Sequence, residues 1–159
     1  MGQACIRVVG ELRASHPERT IEVTEIGDLA CVCDEQRMAQ AISNLLGNAL
    51  RHGAPGSPVG LRADGSDPDH ITLSVRNEGP PIAKVTRESM FEPLVRGAEA
   101  NHAGYNLGLG LYIVREIAMA HGGTVSVTSD AGSGTVFTIR MPRDASAVAT
   151  AAFSNLRMN

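Results

Sequence analysis

Three carboxamides, one imidazole and a pair of glycines carry most of the chemistry this sequence can offer. Asn44, Asn48 and His52 recur at i, i+4 and i+8, which places them along one edge of a helix. Asn competes with the helix backbone for hydrogen bonds, so two in one helix interior either line a solvated flank or serve a ligand. A carboxamide oxygen is a neutral ligand suited to Mg²⁺ that phosphates already hold, because that ion keeps waters and takes few protein ligands. Asn77 ends the alternating run His70-Ile-Thr-Leu-Ser-Val-Arg-Asn77, in phase with Ile71, Leu73 and Val75. Its amide therefore faces the apolar side, where it must be hydrogen-bonded. The partner is either its own backbone, in a turn before Gly79, or a ligand amine at the floor of an apolar pocket. Gly108 and Gly110 flank Leu109 where a helical pattern begins. A helix start leaves N–H groups unpaired, with positive partial charge behind them, and glycines let a phosphate come close.

A dinucleotide-binding turn also puts glycines before a helix, but it needs a strand directly upstream. Arg96-Gly-Ala-Glu-Ala-Asn-His-Ala-Gly-Tyr105 is small and polar and does not alternate, which disfavours that turn. Residues 95–107 are instead expected to form a nucleotide-ordered lid, with Arg96 able to reach a triphosphate; segments this long without periodicity are usually functional or disordered.

The elements that must hold these residues follow from periodicity. Residues 6–14 read as a helix closed by Pro17, residues 20–24 as a strand and residues 29–33 as another short strand. Asp34 is a suitable N-cap for a helix reaching about His52, with Met38, Ala41, Ile42, Leu45, Leu46, Ala49 and Leu50 on its apolar face. Gly53-Ala-Pro-Gly56 ends it. Strands are expected at 59–63 and 70–77, with a turn at 64–69 between them. Glu78-Gly-Pro-Pro81 breaks the second, and a short helix is expected near 84–90. The glycine-led helix lines up Leu111, Val114, Ile117, Ala118 and His121, and Gly122 supplies a left-handed stop. Strands at 124–129 and 135–141 form a hairpin across Asp130-Ala-Gly-Ser-Gly134. The expected fold is α+β: a two-layer α/β sandwich with a mixed, mostly antiparallel sheet of about five strands and three main helices on one face. Residues 1–144 form one domain, and 145–159 a loosely held tail.

Composition narrows the class. The chain has 159 residues, 43% hydrophobic and 3% aromatic with no Trp, enough for one aliphatic core. A net charge of −3 gives no basic footprint for nucleic acid. No apolar run reaches membrane-spanning length and no signal-peptide pattern opens the chain, so a cytoplasmic location is expected. Cys5, Cys31 and Cys33 are odd in number and lack a second pair, which argues against a disulfide framework or a zinc site.

Five segments together resemble the conserved boxes of sensor histidine kinases. Gln40-Ala-Ile-Ser-Asn-Leu-Leu-Gly-Asn-Ala-Leu-Arg-His52 resembles the N box, Asn77-Glu-Gly-Pro-Pro-Ile82 the G1 box and Phe91-Glu-Pro-Leu94 the F box. Asn106-Leu-Gly-Leu-Gly-Leu-Tyr-Ile-Val114 resembles the G2 box, and Gly132-Ser-Gly-Thr-Val-Phe137 the closing Gly-Thr segment. Their order and spacing agree over about residues 5–143, and the G1 variant is similar to that of some bacterial phytochrome kinases. The resemblance implies the ATP-binding catalytic domain of a histidine kinase, a fold shared with gyrase-type and heat-shock chaperone ATPases. It implies ATP and Mg²⁺ as ligands, with Asn44 and Asn48 catalytic and Asn48 on the metal. Nucleotide contacts are implied at Asn44, Asn48, His52, Asn77, Gly79, Ile82, Phe91, Arg96, Asn106, Leu107, Gly108, Leu109, Gly110, Leu111 and Thr135.

The sequence departs from that pattern in places. Asn77 stands where the family usually has Asp; its oxygen still accepts from an adenine amine, at a loss of about 1 kcal/mol for the missing charge. Pro81 replaces a glycine and removes an N–H, and Asn106 replaces the first G2 glycine. Asn44 stands where gyrase-type ATPases carry a Glu that activates water, and an amide is no general base. This favours passing the γ-phosphate to a protein acceptor over hydrolysis, and it disfavours a serine-directed anti-sigma-type kinase. The family's acceptor His sits mid-helix on a separate hairpin, whereas Pro17 follows His16 directly. The expected function is therefore Mg-ATP binding and phosphotransfer to a histidine on a separate dimerisation and phosphoacceptor domain of the parent kinase, with a response regulator served indirectly. The alternatives are a non-catalytic nucleotide-binding signalling module or, less favoured by Asn44, a serine-directed anti-sigma-type kinase of the same fold.

Overall fold

The structure is a computed structural model, and it describes residues 1–93 and 109–145. Five strands and four helices follow in the order α1 (Gly2–Ser15), β1 (Ile21–Gly27), α2 (Glu35–His52), β2 (Val59–Gly65), β3 (His70–Asn77), α3 (Lys84–Ser89), α4 (Gly110–Ala120), β4 (Thr124–Asp130) and β5 (Gly134–Pro142). The strands make one sheet in the order β1-β2-β3-β5-β4. Only β1 and β2 are parallel, because α2 carries the chain back between them; the other pairs are antiparallel. This is the α+β sandwich expected.

The local causes are legible in each element. Asp34 caps α2 by accepting from the Arg37 N–H at 3.0 Å. Glu35 in the first turn and Arg51 and His52 in the last complement the helix dipole. The apolar stripe from Met38 to Leu50 is buried. On β3, Ile71, Leu73 and Val75 are buried between more exposed neighbours, the period of two that a half-buried strand requires. The two layers meet in one aliphatic core.

The end of α4 is tied to the start of α2 by His121, which is buried. Its Nε2 accepts from the Asp34 N–H at 3.0 Å, and its Nδ1 lies 2.7 Å from the Ile117 carbonyl. The position of His121 on the apolar face thus reflects a satisfied core imidazole.

One expected element is corrected. Residues 29–33 do not form a strand: only Val32 pairs, in an isolated bridge to Asp144. Asp28 turns the chain by accepting from the Ala30 N–H, so just one residue meets the outgoing segment. Val32 donates to the Arg143 carbonyl at 2.7 Å and accepts from the Ala145 N–H at 3.1 Å. Ala145 is consequently buried and belongs to the fold; the remainder of the expected tail lies outside the described residues. Among the described residues, no helix is long and apolar enough to cross a membrane.

Candidate functional site

The β-register brings three polar side chains into one row at the end of the sheet. Asn77 on β3 pairs with Thr135 on β5, and Thr135 pairs with Ser129 on β4. All three are buried. One step back along the same face stand Val75, Phe137 and Val127. The sheet face thus changes from apolar to polar between neighbouring rows. Phe91 meets Phe137 edge to face at 6.3 Å, which puts the F-box aromatic beside this boundary.

Asn77 is held in one orientation. Its Nδ2 donates to the Glu78 carbonyl at 3.1 Å, and the same oxygen takes the Ala54 N–H at 2.7 Å. No described residue donates to Asn77 Oδ1, so the acceptor end of the amide is the one left for a ligand. The nitrogen thus serves the local turn, while the oxygen takes no donor among the described residues. Gly79 follows at φ +155°, and a side chain there would come within 3.0 Å of the His52 carbonyl. Ile82 closes the turn by donating its N–H to Ser129 Oγ at 2.9 Å.

Helix α2 lies along this floor. Asn44, Asn48 and His52 occupy successive turns of one edge, with His52 the most open of the three. At one end of the row, Asn44 Nδ2 donates to the Gly110 carbonyl at 3.3 Å, joining α2 to the start of α4. At the other, Gly53 packs against Asn77: a side chain at Gly53 would stand 3.3 Å from Asn77 Cβ. Partial burial, with Arg51 beside it, lowers the His52 pKa below 6.5. Leu109 precedes α4 without any side-chain cap, and Gly110 opens it. Among the described residues, no side chain caps this helix start. Leu111 is partly buried against the core.

Arg96, Asn106, Leu107 and Gly108, and with them the expected lid at 95–107, lie outside the described residues. The other predicted site residues converge on the end of the sheet and the edge of α2. Thr135 Oγ1 is engaged with Ser129 Oγ at 2.7 Å. Two residues join the site that sequence reasoning missed. Ser129 is the partner of both Thr135 and Ile82, and its place follows only from the register of β4 on β5. Arg19 precedes β1 and donates from Nη1 to the Ala54 carbonyl at 3.3 Å, bracing the turn that meets Glu78. Its Nε and Nη2 are buried and find no partner among the described residues. Gly134 of the closing Gly-Thr segment lies at φ +76°, and a side chain there would strike the Asn77 carbonyl at 2.4 Å. Two clefts, of about 380 and 500 Å³, flank α1 and include none of these residues.

An amide row on α2, an acceptor at the end of β3 and a glycine at the start of α4 occur in the order the sequence motifs set. A family model for histidine kinase-, DNA gyrase B- and HSP90-like ATPases matches residues 33–145. The chain belongs to this ATPase family. The bacteriophytochrome of Pseudomonas aeruginosa is 37% identical to this ATPase domain over 128 residues, 80% of this chain and 17% of that protein. The probable sensor histidine kinase TcrY of Mycobacterium tuberculosis is 39% identical over 113 residues, 70% of this chain and 23% of that protein. The chain thus spans less than a quarter of either relative. Among solved structures, the mycobacterial sensor histidine kinase MprB superposes with a TM-score of 0.79 at 30% identity, covering 89% of this chain and 95% of that one. The catalytic domain of the histidine kinase ThkA shares the fold, with a TM-score of 0.77 at 23% identity over 91% of this chain and 93% of that one. The ATPase domain of sensor histidine kinases is thus the part of those proteins to which this chain corresponds.

Proposed function

We propose that this chain binds Mg-ATP and delivers the γ-phosphate to a histidine on a separate helical-hairpin domain. Asn77 Oδ1 accepts from the exocyclic amine of adenine, while its nitrogen stays on the Glu78 carbonyl. The Val75, Phe137 and Val127 row supplies the apolar backing that a flat base needs. The start of α4 turns its N–H groups to the phosphates. Asn48, with Asn44 beside it, offers a carboxamide oxygen to Mg²⁺, which supplies charge neutralisation of the triphosphate when bound.

Asn44 is the observation that favours transfer over hydrolysis. Its amide nitrogen already donates to Gly110, and a carboxamide cannot take a proton from water. The acceptor is expected on a partner domain of the parent kinase, which then serves a response regulator. His16 does not supply it, since it caps the end of α1 ahead of Pro17.

The test is incubation of the chain with γ-labelled ATP, alone and with a separately made hairpin domain carrying its histidine. Acid-labile phosphate should appear on the hairpin histidine and not on the chain alone. Nucleotide binding without any transfer would instead favour the non-catalytic signalling module. Rapid release of free phosphate without the hairpin would contradict the role given to Asn44.

A further inference from the structure

The cysteines lie outside the nucleotide reading, yet two of them are placed together. Val32 is extended and pinned on both sides of its backbone, to Arg143 and Ala145. Its side chain is 59% exposed. The residues on either side of an extended residue share the opposite face, so Cys31 and Cys33 both turn inward, partly buried against the core. Their Sγ atoms stand 3.6 Å apart, and both thiols are free. A disulfide needs about 2.05 Å between sulfurs. Two thiolates on one d¹⁰ ion, each at about 2.3 Å and spread by roughly 109–120°, stand about 3.8–4.0 Å apart. The pair is therefore within a few tenths of an ångström of an ion-bridging span and far from a bonded one.

We propose that Cys31 and Cys33 form a two-thiolate site for a soft monovalent cation of the Cu(I) class. Zinc in a structural site takes four ligands, whereas no group of three or more His, Cys, Asp or Glu residues is poised to hold a metal among the described residues. Soft sulfur ligands select Cu(I), which is satisfied by few of them, and a small exchangeable ligand can take a third position. The cation displaces thiol protons as it binds. The site lies just before Asp34, at the opposite end of α2 from Gly53 and Asn77, so it stands or falls independently of the nucleotide site.

The test uses the reduced chain under anaerobic conditions, competing for Cu(I) with the chromophoric chelator bicinchoninate. The native chain should withdraw one equivalent. Cys31→Ser or Cys33→Ser should each weaken binding by more than about 100-fold, since loss of a supporting second-shell group alone costs about 10–100-fold. Cys5→Ser, which alters a buried thiol on α1, should leave binding unchanged. In the native chain one equivalent of Cu(I) should also slow alkylation of Cys31 and Cys33, a readout that needs no variant to fold. Failure of the native chain to withdraw Cu(I), unslowed alkylation of the two thiols, or equal withdrawal by the Cys31→Ser/Cys33→Ser double variant would overturn the proposal.

Discussion

Replacing Ser129 by Ala tests how the G1 turn is fastened to the sheet. Ser129 Oγ accepts from the Ile82 N–H at 2.9 Å and lies 2.7 Å from Thr135 Oγ1. With the Ile82 N–H donating to it, the Ser129 hydroxyl has its own proton available for Thr135. The substitution removes two hydrogen bonds with a net worth of about 1 kcal/mol each, and it leaves a partly buried N–H and a buried hydroxyl wanting partners. A loss of about 2–3 kcal/mol follows. Thr135→Val keeps the shape and removes only the hydroxyl pair, for about 1 kcal/mol. In the double variant that pair can be lost only once, so the two losses should fall short of additive by about 1 kcal/mol. Urea unfolding of the three variants measures all of this, with the denaturant slope expected to stay constant. The Ser129→Ala chain should also bind ATP more weakly, because Ile82 ends the turn that begins at Asn77. A Ser129→Ala midpoint corresponding to less than about 0.5 kcal/mol, at unchanged slope, would refute the reasoning.

Three other outcomes are expected. Asn77→Ala should abolish ATP binding in calorimetry with circular dichroism unchanged, and Asn77→Asp should tighten it modestly by restoring a charged acceptor; unaltered ATP binding by Asn77→Ala would remove adenine from that residue. Asn48→Ala should weaken Mg-dependent ATP binding more than adenosine binding, and equal losses would leave the residue no metal role. The His52 imidazole should titrate below 6.5 by NMR, and Arg51→Gln should raise its midpoint, since burial and then the Arg51 charge lower it. The sign follows: the folded state prefers the neutral ring, so His52 costs nothing above pH 6.5 and withdraws stability as pH falls below it.

What the sequence made legible was whatever a short window contains. The period of two on β3 placed Asn77 on the inward face, and the α2 stripe put Asn44, Asn48 and His52 on its edge. Ser129 was invisible for a physical reason. Its phase on β4 marks it as inward, but only the pairing of β4 on β5 and the reach of Ile82, 47 residues earlier in the chain, make it a site residue. Arg19 is similar: its bond to Ala54 spans 35 residues, and no local pattern separates it from a solvated Arg. The short strand expected at 29–33 failed for the converse reason. Alternation described the exposure of Val32 well, but a strand needs a neighbour to pair with, and Asp144 offers one bridge.

Asn44 shows how the fold and the chemistry constrain each other. Its Nδ2 donates to the carbonyl of Gly110, the first residue of the helix whose N–H groups face the proposed phosphates. A carboxylate at position 44 has no donor to offer that oxygen at neutral pH, and two acceptors in contact would repel. Placing a general base there would loosen the start of α4 from α2. The amide thus serves the packing of the two helices and suits the proposed transfer, which must avoid water. One side chain thus fastens the start of α4 and, in the proposed reaction, withholds the base.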